Sequence, residues 1–301
     1  MAAGEARGIV VVAGATGYLG RHLVVALRDR GWRVRALVRD PARLGFAADA
    51  AAEVFEGHAT RPETLAGLCD GAEAVVSALG LRAMGGRLTV FDVDRDANLN
   101  VLARAREAGV RRFGFVSVLH GAELCGRVPQ AEAREQVVDA LRAGGPAWTV
   151  FRPTGFFNDM AEFFEMARRG RVWLVGDGAR RLNPIHGADL AAFVAEALAD
   201  PSAEGRELAA GGPDTLSQRE IGALAFEVLG KPARFGRLPP GLLRGMGALA
   251  APFSPNLSNF LRFMAAMGDV DAVAPPTGSH HLRAFFETLR EGGARDLLAR
   301  R

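Results

Sequence analysis

The apolar run Ile9 to Ala13 leads directly into Gly14-Ala15-Thr16-Gly17-Tyr18-Leu19-Gly20, and this junction limits the fold more than any other stretch of the chain. Glycines three apart after a β-branched run describe a strand that turns sharply into a helix, the opening of a βαβ unit. Gly14 allows the tight turn, Gly17 lets backbone approach a ligand, and Gly20 lets the new helix lie close on the sheet. Free amides at the positive end of such a helix receive phosphate. The whole segment, Gly14, Ala15, Thr16, Gly17, Tyr18, Leu19 and Gly20, is therefore expected to bind a dinucleotide. A glycine triplet also occurs in plain structural turns; here strand, helix and second strand all fall where a βαβ unit needs them.

From Gly8 to about Arg152 short apolar runs alternate with helical patterns, the rhythm of a parallel sheet with crossover helices. Strands are expected at Ile9 to Ala13, Arg33 to Val38, Glu53 to Glu56, Ala74 to Ala78, Arg112 to Val116 and Trp148 to Phe151. Helices are expected near Tyr18 to Arg30, Pro41 to Ala50, Pro62 to Leu68, Asp92 to Ala108 and Glu132 to Ala143. Gly31, Gly71, Gly109 and Gly144-Gly145 precede strands, where helix C-termini favour glycine. After Arg152 the rhythm loosens, and 13 of the 18 phenylalanines lie from Phe151 onward. The expected fold class is α/β: a Rossmann-type, doubly wound parallel sheet with a smaller α/β substrate-binding lobe. Residues 1–155 are expected to form the dinucleotide-binding domain, with 182–200 returning to it, and 156–301 mainly the substrate lobe.

A chain of 301 residues, 49% hydrophobic, buries a large core without help. Its 37 basic and 34 acidic residues are dispersed, which argues against nucleic acid as a partner. Cys69 and Cys125 are too few for a disulfide framework or a metal cluster, so no metal is expected. No apolar run approaches the roughly 18 residues of a membrane span, and no signal core stands at the start, so the expected location is cytoplasmic. The oligomeric state stays open, a homo-oligomer included.

The second strand ends Val38-Arg39-Asp40, where an NAD site commonly offers a carboxylate to the ribose. A guanidinium at that place suits a 2′-phosphate through paired bonds, so Arg39 points to NADP(H). Asp40 remains within reach of a ribose hydroxyl, and an exposed surface arginine is the plainer alternative for Arg39.

With Gly14-Ala15-Thr16-Gly17-Tyr18-Leu19-Gly20, Ala36-Leu37-Val38-Arg39-Asp40-Pro41, Ser77-Ala78-Leu79-Gly80, Phe115-Val116-Ser117, Val150-Phe151-Arg152-Pro153-Thr154-Gly155-Phe156 and Asn183-Pro184-Ile185-His186-Gly187-Ala188-Asp189-Leu190, the chain resembles the atypical short-chain dehydrogenase/reductases. The likeness is to their NmrA-like and isoflavone-reductase-like branch, from residue 8 to about 200. It implies that Ala78, Leu79 and Gly80 lie along the adenosine and ribose, that Asn98 sits on a flanking helix, and that Ser117 ends a strand beside the nicotinamide. It also implies that Pro153, Thr154 and Gly155 pass over the nicotinamide. Gly57-His58 departs from the pattern, which often has an acidic residue there.

Most catalytic relatives carry Tyr-x-x-x-Lys on the helix after the serine strand. Here that helix reads Val128-Pro129-Gln130-Ala131-Glu132-Ala133-Arg134-Glu135-Gln136, without either residue. Tyr18 is the single tyrosine and belongs to the glycine loop; Lys231, the single lysine, lies in the distal lobe. Arg134 keeps a charge but does not shuttle protons at neutral pH. Three accounts follow. In the first, a reductase takes its proton elsewhere, with Ser117 and His120 as the catalytic candidates and His186 second. In the next, the chain is a non-catalytic NADP(H)-binding redox sensor or assembly protein. The last is isomerase-like chemistry, for which no acid–base pair is present.

Phe156, Met160, Phe163, Phe164 and Ala167 recur at helical spacing just after the nicotinamide segment, and Phe260, Phe263, Met264 and Met267 form another stripe. Ordinary core explains either one. Their position favours an apolar acceptor pocket formed by Phe156, Phe157, Asn158, Met160 and His186, with Asp159 as a further anchor. The favoured function is an NADP(H)-dependent oxidoreductase, a reductase of an apolar small molecule.

Overall fold

The β-branched runs become strands of one sheet whose central members are buried on both faces, as parallel strands under crossover helices are, while the edges stay partly open. In the computed structural model, which describes residues 7–81 and 86–292, these are β1 (Ile9–Ala13), β2 (Arg33–Val38), β3 (Glu53–Glu56), β4 (Ala72–Ser77), β5 (Arg112–Val116) and β6 (Ala147–Pro153). The shorter β7 (Val172–Val175) and β8 (Arg181–Leu182) follow, then β9 (Arg206–Ala210), β10 (Leu216–Ser217) and β11 (Phe235–Leu238). The main sheet has seven strands in the order β3-β2-β1-β4-β5-β6-β9, with every pairing parallel. Strand order reverses between β1 and β4, so the loops leaving their C-terminal ends diverge and open a crevice there.

Helices α1 (Tyr18–Asp29), α2 (Ala97–Glu107), the single turn α3 (Gly121–Leu124) and α4 (Pro129–Arg142) connect the strands. They are followed by α5 (Phe157–Arg168), α6 (Gly187–Ala199), α7 (Gln218–Val228), α8 (Pro240–Ala250), α9 (Pro255–Ala266) and α10 (Leu282–Arg290). One face of the sheet buries Val10, Val12 and Ala36 under Leu23, Leu27, Leu190 and Val194 of α1 and α6. The other buries Val11, Val75, Phe113 and Phe115 under Val101, Leu102, Val137 and Leu141 of α2 and α4. Each fully buried side chain of this kind stabilises by about 1.5–3 kcal/mol. Small β7–β11 and β8–β10 pairs and helices α5, α7 and α10 build a separate core around Phe157, Phe164, Phe226 and Phe286.

Several expected boundaries move, each for a local reason. The segment Pro41–Ala50 forms 3-10 turns broken at Gly45 (φ 55°), because that glycine interrupts the ladder. Pro62–Leu65 is one 3-10 turn rather than a helix to Leu68. The helix expected from Asp92 starts as a wide π turn, Phe91–Asp96, before α2. Helix α4 begins at Pro129, since proline is pre-set for a first helical position. The chain returns to the sheet with α6 and continues to β9, which adds an edge strand after residue 200. Cys69 is buried, which pushes its thiol up to about 12, whereas Cys125 is exposed; neither is bonded.

Candidate functional site

Gly14 has φ 85°, and a Cβ there would press within 3.0 Å of the Ala78 backbone, so glycine brings β1 and β4 loops together. A Cβ on Gly20 would overlap the Gly14 carbonyl oxygen, so the helix lies on the turn only with glycine there. Gly17 N–H donates to the Gly14 carbonyl at 2.9 Å, and no side chain caps α1. The first-turn amides of Tyr18, Leu19 and Gly20 thus have no intrahelical acceptor. Ala15 is buried beneath them and Thr16 is partly open. Tyr18 is also buried, and its hydroxyl accepts from Gly187 N–H at 2.9 Å. The tyrosine therefore fastens the loop to the start of α6.

Arg39 is exposed at the end of β2 with no ion-pair partner among the described residues. Asp40 instead caps the following turn, accepting from Ala42 N–H at 3.0 Å. Burial, then the guanidiniums of Arg39 and Arg61, hold the His58 imidazole below its ordinary pKa. This end of the rim is positive and open, which fits a phosphorylated ribose.

Ala78 N–H donates to the Ala13 carbonyl at 2.9 Å, placing Ala78 and Leu79 against the glycine loop. Gly80 follows, and a Cβ there would collide with the Arg134 guanidinium. Asn98 is wholly buried; its Oδ1 accepts from Ser77 Oγ at 2.6 Å and its amide donates to the Val93 and Asp94 carbonyls. It holds the end of β4 on the π turn, and its polar atoms are used inside the protein.

The space after β5 is organised by two arginines, Arg134 half-buried and Arg152 buried. Arg134 donates to the Val116 carbonyl at 2.6 Å and pairs with Asp94 at 2.7 Å. Asp94 is fully buried and also accepts from Gln130 Nε2 and Leu81 N–H. Gln130 and Arg134, four apart on α4, thus converge on one carboxylate. Arg152 donates to the Val118 carbonyl at 3.0 Å, to both oxygens of buried Glu135 at 2.7 and 2.9 Å, and to Glu207 at 2.6 Å. Burial opposes the Arg152 charge, but the bonds from Glu135 and Glu207 outweigh it and raise its pKa. Between these pinned carbonyls stands Ser117. Its N–H donates to Phe151 O at 2.7 Å, while its buried Oγ has no hydrogen-bond partner among the described residues.

His120 has the one positive φ outside glycine among the described residues, 57°. Its Nδ1 lies 3.0 Å from Glu123 Oε1. Leu119 N–H donates to Pro153 O, so this loop runs beside the end of β6. Thr154 Oγ1 donates to the Asn183 carbonyl at 2.6 Å, and Gly155 (φ 152°) accepts from Ile185 N–H at 2.8 Å. The β5, β6 and 183–185 segments are therefore stitched into one wall.

The apolar face expected to line a pocket is closed. Phe157 and Met160 are buried in the core of the second lobe, with the Phe157 ring 5.5 Å from those of Phe285 and His186. Phe164 packs on Phe286. Helix α10, which supplies these rings, covers the face that periodicity showed to be apolar. Phe156 is half-buried against Tyr18, and Asn158 is buried. His186 caps α6 through Nδ1, accepting from Ala188 N–H, and stacks on His280 at 4.4 Å. Of the other stripe, Phe263, Met264 and Met267 turn inward and Phe260 is exposed.

Sequence reasoning missed Asp94, Glu135 and Glu207. The signal present for one of them was Glu135 within the apolar row Ala131, Glu135, Val138 of α4, since a charge inside a buried stripe requires a partner. Among the described residues no cluster of histidine, cysteine or carboxylates has metal-binding form, and no helix is long and apolar enough to cross a membrane.

Residues 14–201 match the NAD(P)H-binding family. A ceramide reductase of Caulobacter vibrioides is 34% identical over 260 residues, spanning 83% of this chain and 80% of that protein. The photosystem II assembly factor Ycf39 of Synechocystis is 27% identical over 268 residues, 88% of this chain and 81% of its own. An NADPH-dependent quinone oxidoreductase of Escherichia coli, solved with NADPH, shares the fold with a TM-score of 0.74, across 93% of this chain and 99% of that one, at 19% identity. The uncapped glycine turn, the reversal of strand order and the match over 14–201 agree: the chain belongs to the NAD(P)H-binding reductase family.

Proposed function

We propose that the protein is an NADPH-dependent reductase of an apolar small molecule bearing a carbonyl or a conjugated double bond. The observation that carries this reading is Ser117: a buried hydroxyl without a partner among the described residues, between two carbonyls held by Arg134 and Arg152. An orphaned buried donor is costly, by about 1–3 kcal/mol, and such cost is retained where a ligand answers it.

The cofactor residues fit. Gly14, Ala15, Thr16, Gly17, Tyr18, Leu19 and Gly20 would hold the pyrophosphate on open amides, and Arg39 the 2′-phosphate. Ala78, Leu79 and Gly80 would flank the ribose, with Pro153, Thr154 and Gly155 beside the nicotinamide; Asn98 supports this rim from beneath. NADPH, when bound, supplies a hydride. Ser117 Oγ–H donates a hydrogen bond to the acceptor oxygen. His120, oriented by Glu123 through Nδ1, supplies the proton from its other ring nitrogen and takes the place of the absent tyrosine. An apolar substrate is supported by a relative that reduces ceramide, a lipid.

The test is oxidation of NADPH by the purified protein against enones, quinones, aromatic ketones and ceramide-type lipids. Turnover is expected with at least one acceptor, His120→Ala lowering kcat by about 100-fold. NADPH binding with no turnover on any acceptor would overturn the reductase reading. It would favour a cofactor-holding assembly or sensor role, a reading supported by the Asp94-bound Gln130 and Arg134 on the helix where Tyr-x-x-x-Lys is expected, and by the likeness to Ycf39.

A further inference from the structure

Residues 231–268 contain Lys231, Arg234, Arg237, Arg244 and Arg262 and no Asp or Glu, in a chain whose charges otherwise almost balance. Most of this stretch is the pair α8 and α9, joined through Ala251–Ser254 and packed on each other. The inner side of the pair is ordinary core: Leu243, Leu261 and Ala265 meet Val175, and Ala266 meets Leu124, Val128 and Ala131. Its outer side is not covered. Leu242, Met246, Leu249 and Phe253 follow one another at four-, three- and four-residue steps, and all are exposed. Leu257 and Phe260 continue the line along α9. Leu249 is 77% exposed and Phe253, where the two rows converge, is 89% exposed.

Apolar side chains scattered singly over a surface need no account; a ridge of six on one helical pair does. The same acid-free segment carries unanswered cations. Arg234 and Arg237 are exposed with no ion-pair partner among the described residues. Arg262 is unpaired too, and with Arg127, Arg244 and Ala266 it lines a recess of about 260 Å3. Among the described residues only Asp269 offsets that arginine group, pairing with Arg127 and Arg244. A surface with an apolar ridge and positive flanks is complementary to an apolar layer under anionic headgroups. A second copy of this chain fits poorly, because a two-fold contact would set the same acid-free segments face to face.

We propose that the α8–α9 hairpin docks the protein on the surface of an anionic lipid bilayer. Leu249 and Phe253 enter the acyl boundary, and Arg234, Arg237 and Arg262 stand at the headgroups. Docking of this kind needs the apolar and the basic signal together, since either alone binds marginally. The position is informative as well. Asn259 of α9 accepts from Gln130 N–H at the start of α4, the helix that carries Arg134 to the strand ends, so the inner side of the docking hairpin packs on an element of the candidate site.

The experiment is vesicle flotation of the full chain, with phosphatidylcholine alone and with phosphatidylcholine containing phosphatidylglycerol. Binding is expected on the anionic vesicles, about tenfold or more weaker on neutral ones and reduced by salt. Leu249→Glu with Phe253→Glu should abolish it while leaving the thermal midpoint unchanged, because both side chains already face water; Arg234→Glu with Arg237→Glu should lower it about tenfold. Failure to bind, equal binding to both vesicles, or binding retained by the Leu249→Glu/Phe253→Glu protein would overturn the proposal. So would a concentration-dependent dimer in sedimentation that those substitutions dissolve without any vesicle binding. No turnover enters this measurement, so its failure is separate from failure of the reductase reading.

Discussion

The two ends of the rim above the sheet handle charge in opposite ways. Beside β1 and β2, charge is left open: Arg39 is exposed and unpaired, and the first amides of α1 have no cap. Beside β5 and β6, charge is buried and internally answered, Arg134 by Asp94 and Arg152 by Glu135 and Glu207. Water solvates an exposed guanidinium at little cost, so a group that waits for an anion stays outside. A buried charge costs several kcal/mol unless paired, so groups that shape a wall carry their partners with them. On the proposed reading the first end receives a ligand's charge, while the second holds a fixed surface around Ser117.

The largest test of this contrast is Arg152→Ala. It strands buried Glu135 and part-buried Glu207, and should cost about 3–5 kcal/mol of stability in urea unfolding. A cost below about 1 kcal/mol would show that the wall does not depend on its ion pairs. Arg39→Ala should do the reverse. Stability stays within about 0.5 kcal/mol, while NADPH affinity falls about 10- to 100-fold and NADH affinity is unchanged. An unaltered preference would remove Arg39 from cofactor selection.

Between the two ends, at the joint of α1 and α6, the contrast is read by pH. Burial, then His186 and His280, holds His22 at about 4, and burial, then His280, holds His186 at about 4. Both are therefore neutral in the folded protein at pH values where unfolded histidine, near 6.5, takes up protons. Between about 6.5 and 4 the unfolded state binds more protons, so stability falls as pH drops through that window and is flat above it with respect to these groups. His22→Gln should flatten the slope of urea midpoint against pH; an identical slope would sink the assignment. The smallest effect is expected at Ser117→Ala. Stability should hold or rise by less than about 1 kcal/mol, because an unanswered hydroxyl is removed, while kcat falls. A large loss of stability would mean that Ser117 has a structural bond in solution.

Much of the dinucleotide half was legible in the sequence because its rules are local. Ile9–Ala13, Arg33–Val38, Glu53–Glu56 and Arg112–Val116 are strands at the residues that β-branched runs and flanking glycines indicate. The Gly14 turn depends on a single backbone angle and a close approach that only glycine permits. Phe157 and Met160 show the limit. Helical spacing reveals that their face is apolar, yet pocket wall and core have the same spacing, and α10, more than a hundred residues on, closes the face.

Sequence alone thus determined the strand-turn-helix with its phosphate-ready amides, the exposed arginine after β2, and the absence of Tyr-x-x-x-Lys from the helix after β5, since each is set by residue identity over a few neighbours. Tertiary structure decided what those residues meet: Tyr18 with Gly187, Arg134 with Asp94, Arg152 with Glu135 and Glu207, and the Ser117 hydroxyl with no partner among the described residues. The physical reason is that a buried polar group takes its energy from its partner, and a partner brought in by folding has no fixed distance along the sequence.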